Sequence, residues 1–518
     1  MSEEWALLPT YLSAHLQLSL LALATGALVS LPLGVLAARR PRLESAALGV
    51  ASVAQTVPSL ALLALMVPLL AAVGALTSQW LGFEVHSIGF LPAWIALSLY
   101  SVLPMLRNTV TGIAGVDPAL VEAARGVGMT ERQCLWRVEL PLALPVIVAG
   151  VRTATVWVVG TATLATPVGA TSLGNFIFSG LSTRNLSAVV LGSVASAALA
   201  LLLDGLIRVI ERGLVQRRRS LWGAAAAVVA ALALWVGWTL LPAAGQGPRP
   251  VAIGSKSFTE QYVLAEVLGQ TVRAATGAPI RLVPSLGSTV AFDALRAGEI
   301  DLYVDYSGTI WATIFGHEGP SPGREAVLSE VRGRLAAEYG VSLVAVLGFE
   351  NTYALAMRED RARDLGIETI SALAPHSRDL AMGADYEFFS REEWRALVNE
   401  YGLAFAEKRS MDPALMYPAV DQRQVDVISA FSTDGRIAAL GLRLLRDDRG
   451  VIPPYDAIVL ARPGFVQSQP AEAAAVAALA GRIDAAEMQE LNRAVDEQGR
   501  SPAEVAASFL SNEAAAAR

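Results

Sequence analysis

The side chains best suited to metal or nucleophilic chemistry are one cysteine, Cys134, and four histidines, His15, His86, His317 and His376, and their scatter gives no metal-ligand spacing. No HExxH is present, and GATSLG around Ser172 misses the GxSxG elbow of a hydrolase. The acidic pairs Glu299/Asp301 and Asp447/Asp448 read as solvated turns. No GxxxxGK[ST] phosphate loop occurs, so the chain does not hydrolyse ATP by that route. What stands out is EAARGVGMTERQCLWRVELP, Glu122 to Pro141, a polar, arginine-bearing stretch between two long apolar runs.

The elements around that stretch belong in a membrane. The chain has 518 residues and is 53% hydrophobic, too apolar for an ordinary soluble protein throughout. Residues 1–241 hold 14 arginines, no lysine and 10 acidic residues; the remainder holds 26 basic and 37 acidic residues. Two kinds of domain are fused. Six stretches are long enough to cross about 30 Å of hydrocarbon, near 14–38, 46–73, 90–112, 142–168, 186–208 and 221–241. The first lacks a basic n-region and a small-residue cleavage site, so it reads as a span rather than a signal peptide.

Arginine placement sets the orientation, because short positive loops stay in the cytoplasm. Arg39, Arg40 and Arg42 follow span one; Arg125, Arg132 and Arg137 follow span three; Arg208, Arg212, Arg217, Arg218 and Arg219 follow span five. The opposite loops carry only Arg184. The amino terminus is then outside, Glu122 to Pro141 is inside, and six crossings place the second half outside. Arg107 reads as a snorkelling residue at the inner end of span three. Arg152, deeper in span four, reads either as a structural ion pair or as part of a transport path.

The Glu122–Pro141 stretch resembles the EAA loop of ABC-importer permeases, with Glu122, Ala123, Ala124, Gly128, Leu140 and Pro141 at matching positions. Such a loop needs a short helix, a turn at Gly128 with positive φ, and a second helical segment, and Pro141 is suited to a helix start. The resemblance implies docking to a separate ABC ATPase, which would use ATP and Mg; this chain itself needs no cofactor. One docking loop per chain implies a homodimer of permease halves within membrane lipid. QTVPSLALLALMVPLL from Gln55, LYSVLPMLRNTVTGI from Leu99 and GTATLATPVGATSLGNFIFSGL from Gly160 also resemble permeases of quaternary-ammonium (osmoprotectant) importers. Domains are expected at 1–215 (permease, five spans), 216–250 (sixth span and Pro/Gly linker) and 251–518.

Residues 251–518 alternate strand-like and helical runs, which imply an α/β fold with a largely parallel sheet. Tyr262, Val263, Leu264, Val267 and Leu268 form a helical face, with Ser257 and Thr259 as candidate N-caps. With one cysteine no internal disulfide forms, so this domain folds by burying a core. IGSKSFTEQYVLAEVLGQ, ALRAGEIDLYVDYSGT, GFENTYALAMR, LAPHSRDLAMGADYEFF, MDPALMYPAV, VISAFSTDGRI and PPYDAIVL resemble, in order, the substrate-binding proteins of the same importers. That resemblance implies a two-lobed α/β clamshell fused to the all-α membrane domain, with lobes 251–345 plus 455–515 and 352–446.

It also implies a quaternary ammonium ligand such as glycine betaine, choline, carnitine or ergothioneine. A trimethylammonium group has charge but no N–H, so aromatic faces are its strongest partners, each contributing about 0.5 to 2 kcal/mol. The resemblance carries this box onto Tyr306, Tyr353, Phe431 and Tyr455, with Phe431 departing from the usual Tyr. Polar groups for the ligand's other end are Gln261, Thr309 and Asn351, then Ser255 and Asp434. Glu350, where many relatives have Asn, would favour a ligand with donors, such as the imidazole-thione of ergothioneine. The location implied is the cytoplasmic (inner) membrane with the C-terminal domain outside, and no nucleic acid as partner. A membrane-anchored sensor built on the same clamshell is the alternative, against which the ATPase-docking loop speaks; a membrane-anchored enzyme lacks a motif.

Overall fold

The computed structural model describes residues 2–516 except 82–84, 184, 217–222, 224–226, 229, 233, 236–248 and 318–321. Arg184, Arg217, Arg218, Arg219, most of the span expected over 221–241, and positions 241–248 of the linker lie outside the described residues. The chain divides into two units, Met1–Phe178 with Ser187–Gln246, and Gly247–Arg518 with the short segment Ser179–Leu186.

The first unit is helical: α1 (Ser2–Ala37), α2 (Pro41–Thr56), α3 (Ser59–Leu81), α4 (Phe90–Ala114), α5 (Pro118–Gly126), α6 (Glu131–Cys134), α7 (Leu140–Ala162), α8 (Gly174–Ser182) and α9 (Leu186–Val215). Among the described residues four helical stretches are long and apolar enough to cross a membrane: Glu4–Ala37, Phe90–Ala114, Glu131–Val168 and Leu186–Val215. The single span expected over 46–73 is instead two helices bent by 98° between α2 and α3. The cause is Pro58, which pushes Val57 out of the helical region to φ −66°, ψ 127°. The Val57 carbonyl freed by the break accepts a hydrogen bond from the Tyr100 hydroxyl of α4, so the break is satisfied by protein rather than left in lipid.

Close approach of α1, α4 and α7 rests on small residues. A Cβ on Gly26 would stand 1.7 Å from Ser101 Oγ, and one on Gly150 would stand 2.9 Å from the Pro104 carbonyl oxygen. His15 ties α1 to two further segments: its Nδ1 accepts from the Leu173 N–H at 3.3 Å, which leaves Nε2 to donate to the Val159 carbonyl at 3.0 Å. Arg152 on α7 pairs with Asp204 at 2.5 Å and Glu211 at 3.2 Å, both on α9, and Arg208 adds a second cation 3.0 Å from Asp204.

The second unit contains two five-stranded sheets. The first has the order β2-β1-β3-β10-β4, from β1 (Val251–Lys256), β2 (Ile280–Leu286), β3 (Leu302–Tyr306), β4 (Ser342–Glu350) and β10 (Asp456–Ala461). The second has the order β7-β6-β8-β5-β9, from β5 (Tyr353–Arg358), β6 (Ala381–Ala384), β7 (Glu407–Ser410), β8 (Val427–Phe431) and β9 (Leu442–Leu445). The chain passes between lobes after Glu350 and returns between Leu445 and Asp456. The sheets are mixed rather than largely parallel. β1 pairs in parallel with β2 and β3, while β10 runs antiparallel to β3 and β4; β6 is parallel to β7 and β8, while β5 is antiparallel to β8 and β9. The reversed strands β10 and β5 are the ones entered from the other lobe, where no βα crossover fixes direction.

β1 and β10 are buried along their whole length, as expected for central strands covered on both faces. The helix Thr259–Thr276 buries Val263, Leu264, Val267, Leu268 and Val272 against this sheet. Its N-cap position is Phe258, with no side-chain cap, not Ser257 or Thr259; the Thr259 hydroxyl is drawn instead to Asp496 at 2.6 Å.

Candidate functional site

Four strand ends meet where the lobes face each other, and each brings a ring. Tyr306 closes β3, Phe431 closes β8, Tyr353 opens β5, and Tyr455 precedes β10. Tyr353 and Phe431 are register partners, with ring centroids 5.1 Å apart, and Tyr353 stands edge-on to Tyr455 at 5.9 Å. Tyr306 joins them through Phe258, whose ring is 6.3 Å from Tyr306 and 5.7 Å from Phe431, parallel to the latter within 2°. The structure therefore brings the four expected rings into one cluster, with Phe258 as an unexpected fifth member.

Behind the rings lies a carboxylate that sequence reasoning missed. Glu260, in the first turn of Thr259–Thr276, is 2% exposed and accepts four hydrogen bonds. The Tyr306 hydroxyl donates at 2.6 Å, Asn351 Nδ2 at 2.9 Å, Asn492 Nδ2 at 3.2 Å, and the Thr433 hydroxyl completes the set. Burial pushes the Glu260 carboxyl above the usual carboxylate range, while the four donors favour the charged form. Gln261 donates to the Tyr306 oxygen at 3.1 Å, so the Tyr306 hydroxyl proton is left for Glu260. Burial raises the Tyr306, Tyr353 and Tyr455 phenols well above their ordinary value, so all three stay neutral.

The other end of the cluster holds an arginine between two carboxylates, Glu387 and Glu393. Arg391, 9% exposed, places its guanidinium 5.2 Å from the Tyr353 ring centroid and donates to Thr313 Oγ1 at 3.0 Å. Glu393 stands 3.5 Å from Arg391 and accepts from the Tyr455 hydroxyl. Arg391 Nε and Glu393 Oε2 are buried with no hydrogen-bond partner among the described residues. A cleft of about 460 Å³ opens beside Arg391, lined also by Ser288, Thr289, Thr313, Glu387 and Ser390.

Of the remaining expected residues, Asn351 and Gln261 join this network, and Ser255 and Thr309 are buried in β1 and just after β3. Glu350 and Asp434 are committed to arginines instead. Glu350 lies 3.2 Å from Arg324, which also holds Asp456 at 2.5 Å; burial pushes the Glu350 carboxyl up, Asp456 adds to that, and Arg324 opposes. Asp434 pairs with Arg436 at 2.5 Å, and Arg436 lies 3.8 Å over the Tyr417 ring.

In the first unit, the Glu122–Pro141 stretch forms α5, a turn with Gly128 at φ +87°, α6, a π turn over Leu135–Glu139, and then α7. The second helical segment begins at Glu131, where Thr130 and Gln133 form a capping box, and Pro141 stands at the start of the next helix, as expected. Pro141 falls in the first turn of α7, directly after the π turn whose wider backbone accommodates a residue without an N–H. Glu122 and Ala123 are exposed, Ala124 is buried and Leu140 half-buried, while Val127 and Trp136 are 77% and 63% exposed. Arg39, just beyond α1, holds this stretch through Glu139 at 2.8 Å and Glu131 at 3.6 Å.

Residues 249–512 match the family described as the substrate binding domain of ABC-type glycine betaine transport system, and 30–216 match the binding-protein-dependent transport system inner membrane component. The chain is 31% identical over 496 residues to the ergothioneine transport permease/ergothioneine binding protein EgtU of Helicobacter pylori, covering 92% of this chain and 85% of that one. It is 42% identical over 200 residues to the choline transport system permease protein OpuBB of Bacillus subtilis, covering 39% of this chain and 85% of that one. It is 30% identical over 270 residues to the carnitine transport binding protein OpuCC of Listeria monocytogenes, covering 51% and 87%.

Proposed function

The chain belongs to the ABC importers of the glycine betaine type, as a permease and a substrate-binding domain in one polypeptide, and from that premise we propose that it imports a zwitterionic quaternary ammonium compound. The observation that carries this reading is the cluster of five rings with a buried arginine at one end. The rings suit a cation that offers no hydrogen-bond donor, and expelling water strengthens each contact. Arg391 suits an anion, because a guanidinium presents a planar fork to a carboxylate. A ligand with both ends, such as glycine betaine, carnitine or ergothioneine, fits better than choline, which has no carboxylate.

The closed lobes hold ligand outside the cell, and the permease passes it inward. Glu122, Ala123 and Ala124, turned at Gly128 and joined to α7 through Leu140 and Pro141, form the handle for a separate ATPase, with Val127 and Trp136 as its exposed apolar contacts. Arg39 transmits movement of the handle to α1. ATP and Mg are used by that partner, and two copies of this chain supply the two handles that a pair of ATPases needs. With the α2–α3 pair counted as one crossing, five spans keep the arginine-rich loops in the cytoplasm, and the sixth span expected over 221–241, mostly outside the described residues, carries residues 251–518 outward. Single cysteines at Val127 and at Gln498, on a background with Cys134 replaced, test this arrangement with an impermeant thiol reagent in intact cells. The expected result is labelling at 498 alone; labelling of both in intact cells overturns the topology.

A further inference from the structure

The rings of the cluster are not equivalent. Tyr306 donates its hydroxyl to Glu260 at 2.6 Å, and Tyr455 donates its own to Glu393. Both glutamates are 2% exposed. Among the described residues Tyr353 donates to no carboxylate, and the Arg391 guanidinium lies 5.2 Å from its ring centre; the Lys256 ammonium lies 5.4 Å from the Tyr306 ring centre but is held by Asp305 at 2.5 Å. Phe258 and Phe431 have no hydroxyl at all. A phenol that donates to a carboxylate in a low-dielectric surrounding gains electron density on its oxygen and ring, which deepens the negative face that attracts a cation.

We propose that Glu260 and Glu393 are positioning residues of this ligand site, which make Tyr306 and Tyr455 its two cation-attracting walls and so set its preference for a charged head group over a neutral one of the same shape. The inference rests on the quaternary ammonium reading above. Glu260 gathers Tyr306 and Asn492 from the first lobe, Asn351 from the crossing and Thr433 from the second lobe, so Tyr306 is fixed in the arrangement with the lobes together. Glu393 plays the matching part for the second wall, joining Tyr455 to Arg391. One carboxylate thus orients a cation wall together with the lobe closure, and the other orients a cation wall together with the anion reader.

The test uses the full-length chain in lipid nanodiscs and two pairs of probes of equal shape: glycine betaine with 3,3-dimethylbutanoate, and choline with 3,3-dimethylbutan-1-ol. In each pair a quaternary nitrogen is exchanged for carbon, so the head group is charged in one probe and neutral in the other while the carboxylate or hydroxyl end is kept. The native chain is expected to prefer the charged member of at least one pair. Glu260→Gln is expected to reduce that preference at least about fivefold, through weaker binding of the charged probe, with the neutral probe within about twofold. Tyr306→Phe should do the same, and the Glu260→Gln/Tyr306→Phe pair should add little to either, since both remove one polarised hydroxyl. Glu393→Gln and Tyr455→Phe form the second set, which keeps the test alive if Glu260→Gln fails to fold. Equal weakening of charged and neutral probes in these variants means a merely structural role and overturns the inference, as does a preference that survives all four single substitutions. A native chain that prefers neither charged probe removes the quaternary ammonium reading as well.

Discussion

Arg152 in the membrane unit and Arg391 in the binding unit each meet two carboxylates, and they differ in what is left unmatched. Arg152 is matched by Asp204 and Glu211, and Arg208 also holds Asp204, so two cations meet two anions within one helix pair. Arg391 meets Glu387 at 3.4 Å and Glu393 at 3.5 Å, shares the latter with a tyrosine, lies over an aromatic face, and keeps Nε without a hydrogen-bond partner among the described residues. An unmatched buried polar atom costs stability, so a protein that retains one gains something else from it. The contrast favours a structural pair as the reading of Arg152, and the anion site proposed at Arg391 rests on it.

The largest effect that separates these two arginines is expected from Arg391→Ala. Loss of a charge-assisted hydrogen bond of about 2 kcal/mol should weaken glycine betaine or carnitine about 30-fold while leaving choline nearly unchanged. An equal loss for choline would mean that Arg391 holds the fold rather than the anion. Tyr306→Ala comes next, with binding weakened at least about tenfold in the same titration; unchanged affinity places the cation elsewhere. The third effect is on pH dependence. Glu260 is raised by burial and its charged form is the one that enriches Tyr306, so ligand affinity should rise with pH through a value above the ordinary 4.5, and fall as acid protonates the carboxyl. Tyr306, the titratable group it touches, is itself raised and stays neutral, so a flat profile in Glu260→Gln against a sloping native profile is the expected outcome. The smallest effect on binding belongs to Arg152→Ala, which should lower the thermal midpoint of the detergent-solubilised chain yet leave ligand affinity within about twofold, because the two sites share no partner. A large affinity loss there would erase the contrast.

The two regions also differ in how much of them can be read from the chain. Tyr306, Tyr353, Phe431 and Tyr455 each sit in a short motif at a strand end, and the resemblance of those motifs to the family's is what singles them out. Phe258 and Glu260 lie within a quoted motif, SKSFTEQ, but read as residues of a helix start. Arg391 and Glu393 lie in SREEW, which has the composition of a solvated helix N-terminus; only packing across lobes buries them. Burial of that kind depends on contacts distant in sequence, and no local pattern carries it. Glu350 misleads for the opposite reason: its position beside the motif is local, while its partner Arg324 is remote. In the membrane unit hydropathy locates the apolar segments, but Pro58 turns one of them by 98°, a backbone effect that an averaged hydropathy window does not register.

Isothermal titration of the full-length chain in nanodiscs with glycine betaine, carnitine, ergothioneine and choline tests the central claim most directly. At least one of the three zwitterions is expected to bind, more tightly than choline, with that advantage lost in Arg391→Ala. Binding of choline above all three, or of none of the four, would contradict a site built from aromatic walls and a buried arginine.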